Sequence, residues 1–171
     1  MANIVHVRID GRLIHGQVCT QWIDKKGARR IIIVDDIIAR DAFLVQICTM
    51  ASPVGTKLEV ISCEEAAKRW KENTFTNEPM FVLFQTCEMA LKAWQAGFKY
   101  PSLNFGTTLN KGNMIFSGVG SIKIKPEHLT QLDDAANEGL DIYFQVTPND
   151  PKQLWKTLKD KMYQEAGING K

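Results

Sequence analysis

Ile31-Ile32-Ile33-Val34-Asp35-Asp36 is an unbroken β-branched run that ends on two aspartates. It shows no polar alternation, so neither face of the strand is built to meet water. Such a strand belongs inside a parallel sheet covered by helices on both sides. Working outward, strand and helix patterns alternate. Upstream, residues 4–9 form a strand, and residues 16–24 carry a helical pattern with Val18 and Trp22 on one face. Downstream, Asp41 caps a helix whose apolar positions are Phe43, Leu44, Ile47 and Cys48, and Pro53 and Gly55 stop it. Residues 58–61 form the next strand. Ser62 stands three residues before Glu65, the capping-box spacing, and opens a helix to about Lys71.

The alternation continues to the end of the chain. Residues 80–84 form a strand, and Thr86 caps a helix that ends at Gly97. Residues 103–105 form a short strand, 106–120 a loop or loose hairpin, and Ile122 and Ile124 an edge strand. Pro126 opens a helix that ends before Gly139. Residues 140–146 form another strand, and Asp150-Pro151 starts a terminal helix that turns Leu154, Trp155, Leu158 and Met162 to the body. The expectation is one α/β domain over residues 1–171, with an ordered core over about 2–164. It has three layers: a mostly parallel central sheet of about seven strands, with helices on both faces.

Composition excludes several classes. A 44% hydrophobic and 23% charged chain is ordinary for a globular protein, and no apolar run reaches a membrane-spanning length. The start, MANIVHVRID, lacks the order of a signal peptide and reads as a strand from about its third residue. Net charge is +2 with lysines and arginines scattered, so nucleic acid is not an expected partner. Four cysteines without a C-x-x-C pair and three histidines far apart give no zinc spacing; no metal or cofactor is expected. Reduced thiols fit, with Cys48 and Cys87 buried.

In a doubly covered parallel sheet, ligands sit beyond the carboxyl ends of the strands. The loops there hold residues 8–15, Asp35 and Asp36, Gln85 and Thr86, and residues 106–108. The densest chemistry lies in Arg8-Ile9-Asp10-Gly11-Arg12-Leu13-Ile14-His15-Gly16-Gln17. An imidazole is a competent nucleophile near neutral pH, and arginines meet the charge of a transferring phosphoryl group with paired donors. Asp10 is placed to hold either an arginine or the second imidazole nitrogen. Backbone N–H groups after Gly16 and Gln17 could meet an anion. Each residue also has a plainer reading. Arg8 and Asp10 could form a strand-end ion pair, and Arg12 could be a solvated charge. Asp35 and Asp36 could bind a metal or orient a phosphate, but capping a turn after the strand is the favoured reading. His6 reads as structural and His128 as a surface residue.

The run RIDGRLIHGQV resembles the N-terminal signature of enzyme IIB of the mannose/fructose/sorbose family of the bacterial sugar phosphotransferase system. The likeness continues through Trp22, residues 31–36, Met50-Ala51-x-Pro53-x-Gly55, Leu103-Asn104-x-Gly106 and the Gly139 turn. It implies a phosphotransferase in which His15 takes a phosphoryl group from a phosphohistidine of the IIA partner. His15 then passes the group to a sugar crossing through the membrane IIC and IID subunits. Phosphorylation at Nδ1 is implied by the family, not by the sequence chemistry. Arg8, Asp10 and Arg12 align around the histidine. From their place in the loops at the carboxyl edge, Gly16, Gln17, Asp35, Asp36 and Thr107 are further candidates for phosphate or substrate contact. A cytoplasmic chain held at the inner face of the plasma membrane by the permease follows, and a homo-oligomer is allowed for. The pattern departs at Gly11, which implies a more mobile loop, and at Gly106-Thr107-Thr108.

Two other functions are open to the residues alone. One is a phosphatase or mutase with a phosphohistidine intermediate, although such enzymes place Arg directly before His and here Ile14 stands there. The other is a non-catalytic anion- or nucleotide-binding module, which lacks a G-x-x-x-x-G-K-[ST] loop or a G-x-G-x-x-G turn.

Overall fold

The computed structural model describes residues 2–168. Its first strand, β1 (Ile4–Asp10), divides its side chains between two layers. Val7 and Ile9 enter the larger apolar cluster, while His6 and Arg8, on alternate positions, lie against Trp22 on the other side. The next strand, β2 (Arg30–Val34), is buried on both faces as its β-branched run requires. Ile32 and Val34 join the larger cluster, and Ile31 and Ile33 join the smaller one.

The remaining strands are β3 (Lys57–Ile61), β4 (Met80–Phe84), β5 (Ser102–Thr107), β6 (Ile115–Phe116), β7 (Lys123–Ile124), β8 (Asp141–Phe144) and β9 (Gln153–Leu154). One sheet has the order β3-β2-β4-β1-β5-β8-β9, and β6 and β7 form a separate hairpin. All neighbours in the main sheet are parallel except β8 and β9.

The helices are α1 (Ala42–Met50), α2 (Cys63–Glu72), α3 (Cys87–Ala96), α4 (Pro126–Asn137) and α5 (Trp155–Ala166). The larger cluster packs α2 to α5 against one face of the sheet. The smaller packs α1 and a π-helical turn (Val18–Ile23) against the other. This division follows from right-handed crossovers. From β1 the chain steps to one side, through β2 to β3, and from β3 onward it steps back the other way. The loop after β1 therefore leaves the sheet towards one face, while those after its neighbours β4 and β5 leave towards the other. That divergence opens a crevice at the carboxyl end of β1.

Local chemistry explains most element ends. Asp41 Oδ1 accepts from the N–H groups of Phe43 and Leu44, Ser62 caps α2 and Thr86 caps α3. Only half of the capping box forms at Ser62, because the Glu65 carboxylate pairs with Arg69 at 2.7 Å instead. Asp133 ties α4 to α5 by accepting from Trp155, Lys159 and Tyr163.

Five expectations are corrected. Residues 16–24 do not make a regular helix: Asp24 N–H bonds the carbonyl of Cys19, five residues back, and the wider turn lays Trp22 over β1. The terminal helix starts at Trp155 rather than at Asp150-Pro151, because Gln153 and Leu154 first pair with the edge of β8. On α1, Leu44 and Cys48 are only half-buried, and Phe43 and Ile47 are exposed. His128 is buried at the start of α4, and burial lowers its pKa. Finally, the strand expected over 140–146 stops at Phe144, since the carbonyls of Gln145 and Val146 turn to meet Arg8.

Candidate functional site

Asp10 is the last residue of β1, and its carboxylate is fully buried. Its two oxygens do different work. Oδ2 faces Arg8, accepting from Nε at 3.1 Å and forming an ion pair with Nη2 at the same distance. Oδ1 accepts from Thr107 Oγ1 at 2.8 Å and from the Arg12 backbone N–H at 3.2 Å, and it lies 3.0 Å from His15 Nε2. A buried carboxylate survives only with this kind of saturation.

Arg8 is itself wholly buried. Besides Asp10, its guanidinium donates to Asn104 Oδ1 at 2.6 Å and to the carbonyls of Gln145 and Val146 at 3.1 and 3.0 Å. All three guanidinium nitrogens are thus engaged. Burial lowers the Arg8 pKa while the Asp10 charge opposes the fall, and Trp22 covers the group at 4.9 Å. Arg8 thus supports Asp10 from beneath, and its expected contact with the transferring charge gives way to a positioning role. Gly106 makes room for it: a Cβ there would lie 1.9 Å from Arg8 Cζ.

The chain then turns sharply. Leu13 N–H bonds the Asp10 carbonyl at 2.9 Å, and Leu13 holds φ 53 while its side chain is buried in the smaller cluster. A left-handed leucine costs on the order of 1 kcal/mol, and here burial of its side chain offsets the strain. Gly11 is also buried, with its N–H on the Thr107 carbonyl, and a Cβ would meet Leu109 N at 2.9 Å. Close approach of two loops, rather than the expected mobility, is therefore what glycine supplies at this position.

This turn carries His15 back over Asp10. An ionised carboxylate can only accept, so Nε2 carries the hydrogen in their contact and Nδ1 keeps its lone pair. Nδ1 has no hydrogen-bond partner and is enclosed. Arg12 is exposed, and its backbone N–H rather than its guanidinium bonds Asp10.

The other expected residues divide. Thr107 joins the site through Asp10. Gly16 follows His15 in open space, and Gln17 is half-buried at the start of the π-helical turn. Asp35 and Asp36 do not face His15. Asp35 accepts from the N–H groups of Ile37 and Ile38, and Asp36 pairs with Lys92 at 2.6 Å and accepts from Cys63 N–H. Turn and helix capping is their work, and the phosphate-orienting expectation falls. His6 is buried, stacks on Trp22 at 4.6 Å, and has its pKa lowered to about 3 by burial. No cluster suited to a metal ion occurs among the described residues.

Sequence reasoning assigned no site role to Asn104, which completes the Arg8 cradle. Its signal was a polar residue inside an apolar strand, since such a residue needs a buried partner.

A sequence profile of the PTS system sorbose subfamily IIB component matches residues 4–168. The chain is 29% identical over 165 residues to the sorbose-specific EIIB component of Klebsiella pneumoniae, covering 96% of this chain and 98% of that one. It is 27% identical over 158 residues to the fructose-specific EIIB component of Bacillus subtilis, covering 90% and 93%. Among solved structures, manxB of Thermoanaerobacter tengcongensis superposes with a TM-score of 0.83 at 32% identity over 95% of this chain and 98% of that one. The IIBSor domain of the Klebsiella pneumoniae sorbose permease also gives 0.83, at 27% identity over 94% and 98%. The chain belongs to the sorbose-subfamily IIB components of the sugar phosphotransferase system.

Proposed function

We propose that His15 is the residue on which this phosphoryl carrier holds its cargo, and that Nδ1 is the atom. The observation that carries the proposal is the Asp10–His15 contact, which engages Nε2 and leaves the other nitrogen as the nucleophile. The Nδ1 lone pair attacks the phosphorus of a IIA phosphohistidine, and the P–N bond to the donor breaks with its electron pair returning to the donor ring. Attachment at Nδ1 leaves positive charge on a ring still protonated at Nε2, and the Asp10 carboxylate stabilises it. A sugar hydroxyl presented by the IIC and IID subunits then attacks, its proton is released, and His15 regains its lone pair.

Arg12 is exposed three residues before His15, and a guanidinium there suits the charge of the three phosphoryl oxygens. Arg8, Thr107 and Asn104 act through Asp10. Nδ1 is enclosed in the free chain, so docking of the donor has to uncover it while Nε2 keeps its contact with Asp10. The chain works at the inner face of the plasma membrane, where the permease holds it; among the described residues, no helix is long and apolar enough to cross a membrane.

The test is incorporation of labelled phosphate from the IIA donor. The expected adduct is acid-labile and base-stable and maps to His15. Normal labelling of His15→Ala would sink the proposal.

A further inference from the structure

The chain leaves the sheet after Asp10 and returns to it at β2, and the stretch between carries His15. Leu13, Val18 and Ile23 bury their side chains in the smaller cluster, but apolar packing is non-directional and does not fix a rotation. Hydrogen bonds do. Among the described residues, side chains of residues 13–24 bond the rest of the chain at two places. One is His15 with Asp10, and the other is Trp22 Nε1 with the carbonyl of Val146 at 3.1 Å. Trp22 lies seven residues after His15, about two helical turns, and the turn starts from the His15 carbonyl, which accepts from Cys19 N–H at 3.0 Å. Arg8 and Asp10 stand two residues apart on β1 and so share a face. Trp22 therefore meets Arg8 as His15 meets Asp10, and the Arg8–Asp10 pair joins the two contacts. The Val146 carbonyl is the fixed point. It also accepts from Arg8 Nη2 at 3.0 Å, and the Val146 side chain packs so closely on Gly120 that a Cβ there would lie 2.6 Å from Val146 Cγ2.

We propose that Trp22 is a positioning residue of phosphoryl transfer. It clamps the turn that carries His15 to Val146 and Arg8, and so holds the imidazole where Nε2 meets Asp10 and Nδ1 is free. The inference rests on the phosphoryl-carrier reading of His15. Trp22 is 2% exposed, so it acts through Arg8, Asp10 and the turn. Two of its features go beyond filling the core. Its N–H supplies the directional bond, and its ring lies over the Arg8 cation that fixes Asp10. The π-type widening of the turn is a rare geometry that recurs at functional sites, and here it aims the indole at β1.

The experiment uses the full chain with isotope-labelled histidine. Nitrogen NMR, at a pH where the ring is neutral, reads which atom of His15 carries the hydrogen. Labelling by the IIA donor is followed separately, as a maximal rate and as the donor concentration that gives half of it. Trp22→Phe keeps an apolar ring without the N–H, and Trp22→Met is a second variant that lacks both. Ile23→Ala is the control, a fully buried neighbour in the same turn whose side chain makes no hydrogen bond. All are measured at a temperature where circular dichroism shows them folded. The parent and Ile23→Ala are expected to hold the hydrogen on Nε2 and to label alike. Both Trp22 variants should share it between the two ring nitrogens. They should label about tenfold more slowly, the factor one hydrogen bond can support, at an unchanged half-rate concentration. Parent spectra and rates in both Trp22 variants overturn the proposal. So does an equal change in Ile23→Ala, which would reduce Trp22 to core packing. A raised half-rate concentration at an unchanged maximal rate overturns it too, by making Trp22 part of the donor's seat. Normal labelling of His15→Ala would sink the carrier reading alone, since the ring spectrum is read without a donor.

Discussion

Asp10 Oδ1 and His15 Nε2 lie 3.0 Å apart, while Oδ2 of the same carboxylate is held by Arg8 at 3.1 Å. One carboxylate thus joins a buried cation to the His15 ring, the proposed nucleophile. The buried half fixes the aspartate, and the aspartate fixes which imidazole nitrogen is free.

Asp10→Asn keeps the shape but puts an N–H donor or a weaker acceptor where the carboxylate stood. Labelling of His15 is expected to slow on the order of 10²-fold, the usual range for loss of such a partner. Stability falls as well, because Arg8 loses its counter-charge inside the protein; breaking a buried pair costs about 3–5 kcal/mol. Rapid-quench labelling and urea unfolding measure the two effects, and a wild-type labelling rate would remove Asp10 from the mechanism.

Arg12→Ala separates charge stabilisation from folding. The side chain is exposed, so stability should move by less than about 0.5 kcal/mol. Transfer should nevertheless fall by orders of magnitude, as expected when a guanidinium that stabilises a phosphoryl transition state is lost. Unchanged transfer would show that Arg12 is only a solvated charge.

Two glycines make a matched pair. At Gly106 a Cβ would collide with the Arg8 guanidinium, whereas at Gly16 it would meet nothing within 4 Å. Gly106→Ala should destabilise by about 1–3 kcal/mol, since Arg8 cannot shift without leaving its partners. Gly16→Ala should change stability by less than about 1 kcal/mol. Thermal unfolding of both variants decides it, and equal melting temperatures would contradict the packing described.

His6 gives the fold an acid sensitivity of known sign. Burial, with help from the charges of Lys26 and Arg8, lowers its folded pKa from 6.5 to about 3. The unfolded chain takes up this proton near pH 6.5 and the folded chain only near pH 3. Its contribution is therefore complete above 6.5 and is lost as pH falls towards 3. Between roughly pH 5.5 and 4.5 the parent should lose about 1.4 kcal/mol per pH unit more than His6→Phe, one proton's worth. The lowered pKa of His128 has the same sign and remains in both proteins. Parallel stability curves for the two would refute the buried neutral His6.

Much of this was legible in the residues. The unalternated run at 31–34 announced a doubly covered strand, and the caps at Asp41, Ser62 and Thr86 announced helix starts, because both are local rules. The site was legible as a cluster of types: two arginines, an aspartate and a histidine after a buried strand. Its internal division was not. Arg8 and Arg12 look alike in sequence, but alternation along β1 sends Arg8 inward to Trp22, and the turn at Leu13 leaves Arg12 outside. Asp35 and Asp36 prove to be the caps that the residues favoured, and the phosphate role falls only once their neighbours are known, because a carboxylate beside a strand end can serve a cap or a ligand.

By itself, then, the sequence determined the layered parallel fold, the family likeness and the histidine at the carboxyl end of β1, since these rest on periodicity, capping and contiguous residues. Only the tertiary structure decided the rest. It brought Asn104, Thr107 and the carbonyls of Gln145 and Val146 to Arg8 and Asp10 across distant parts of the chain. It also left one side of α1 bare, which no apolar pattern could foretell, because the same periodicity serves a helix face turned to the core and one turned to a partner.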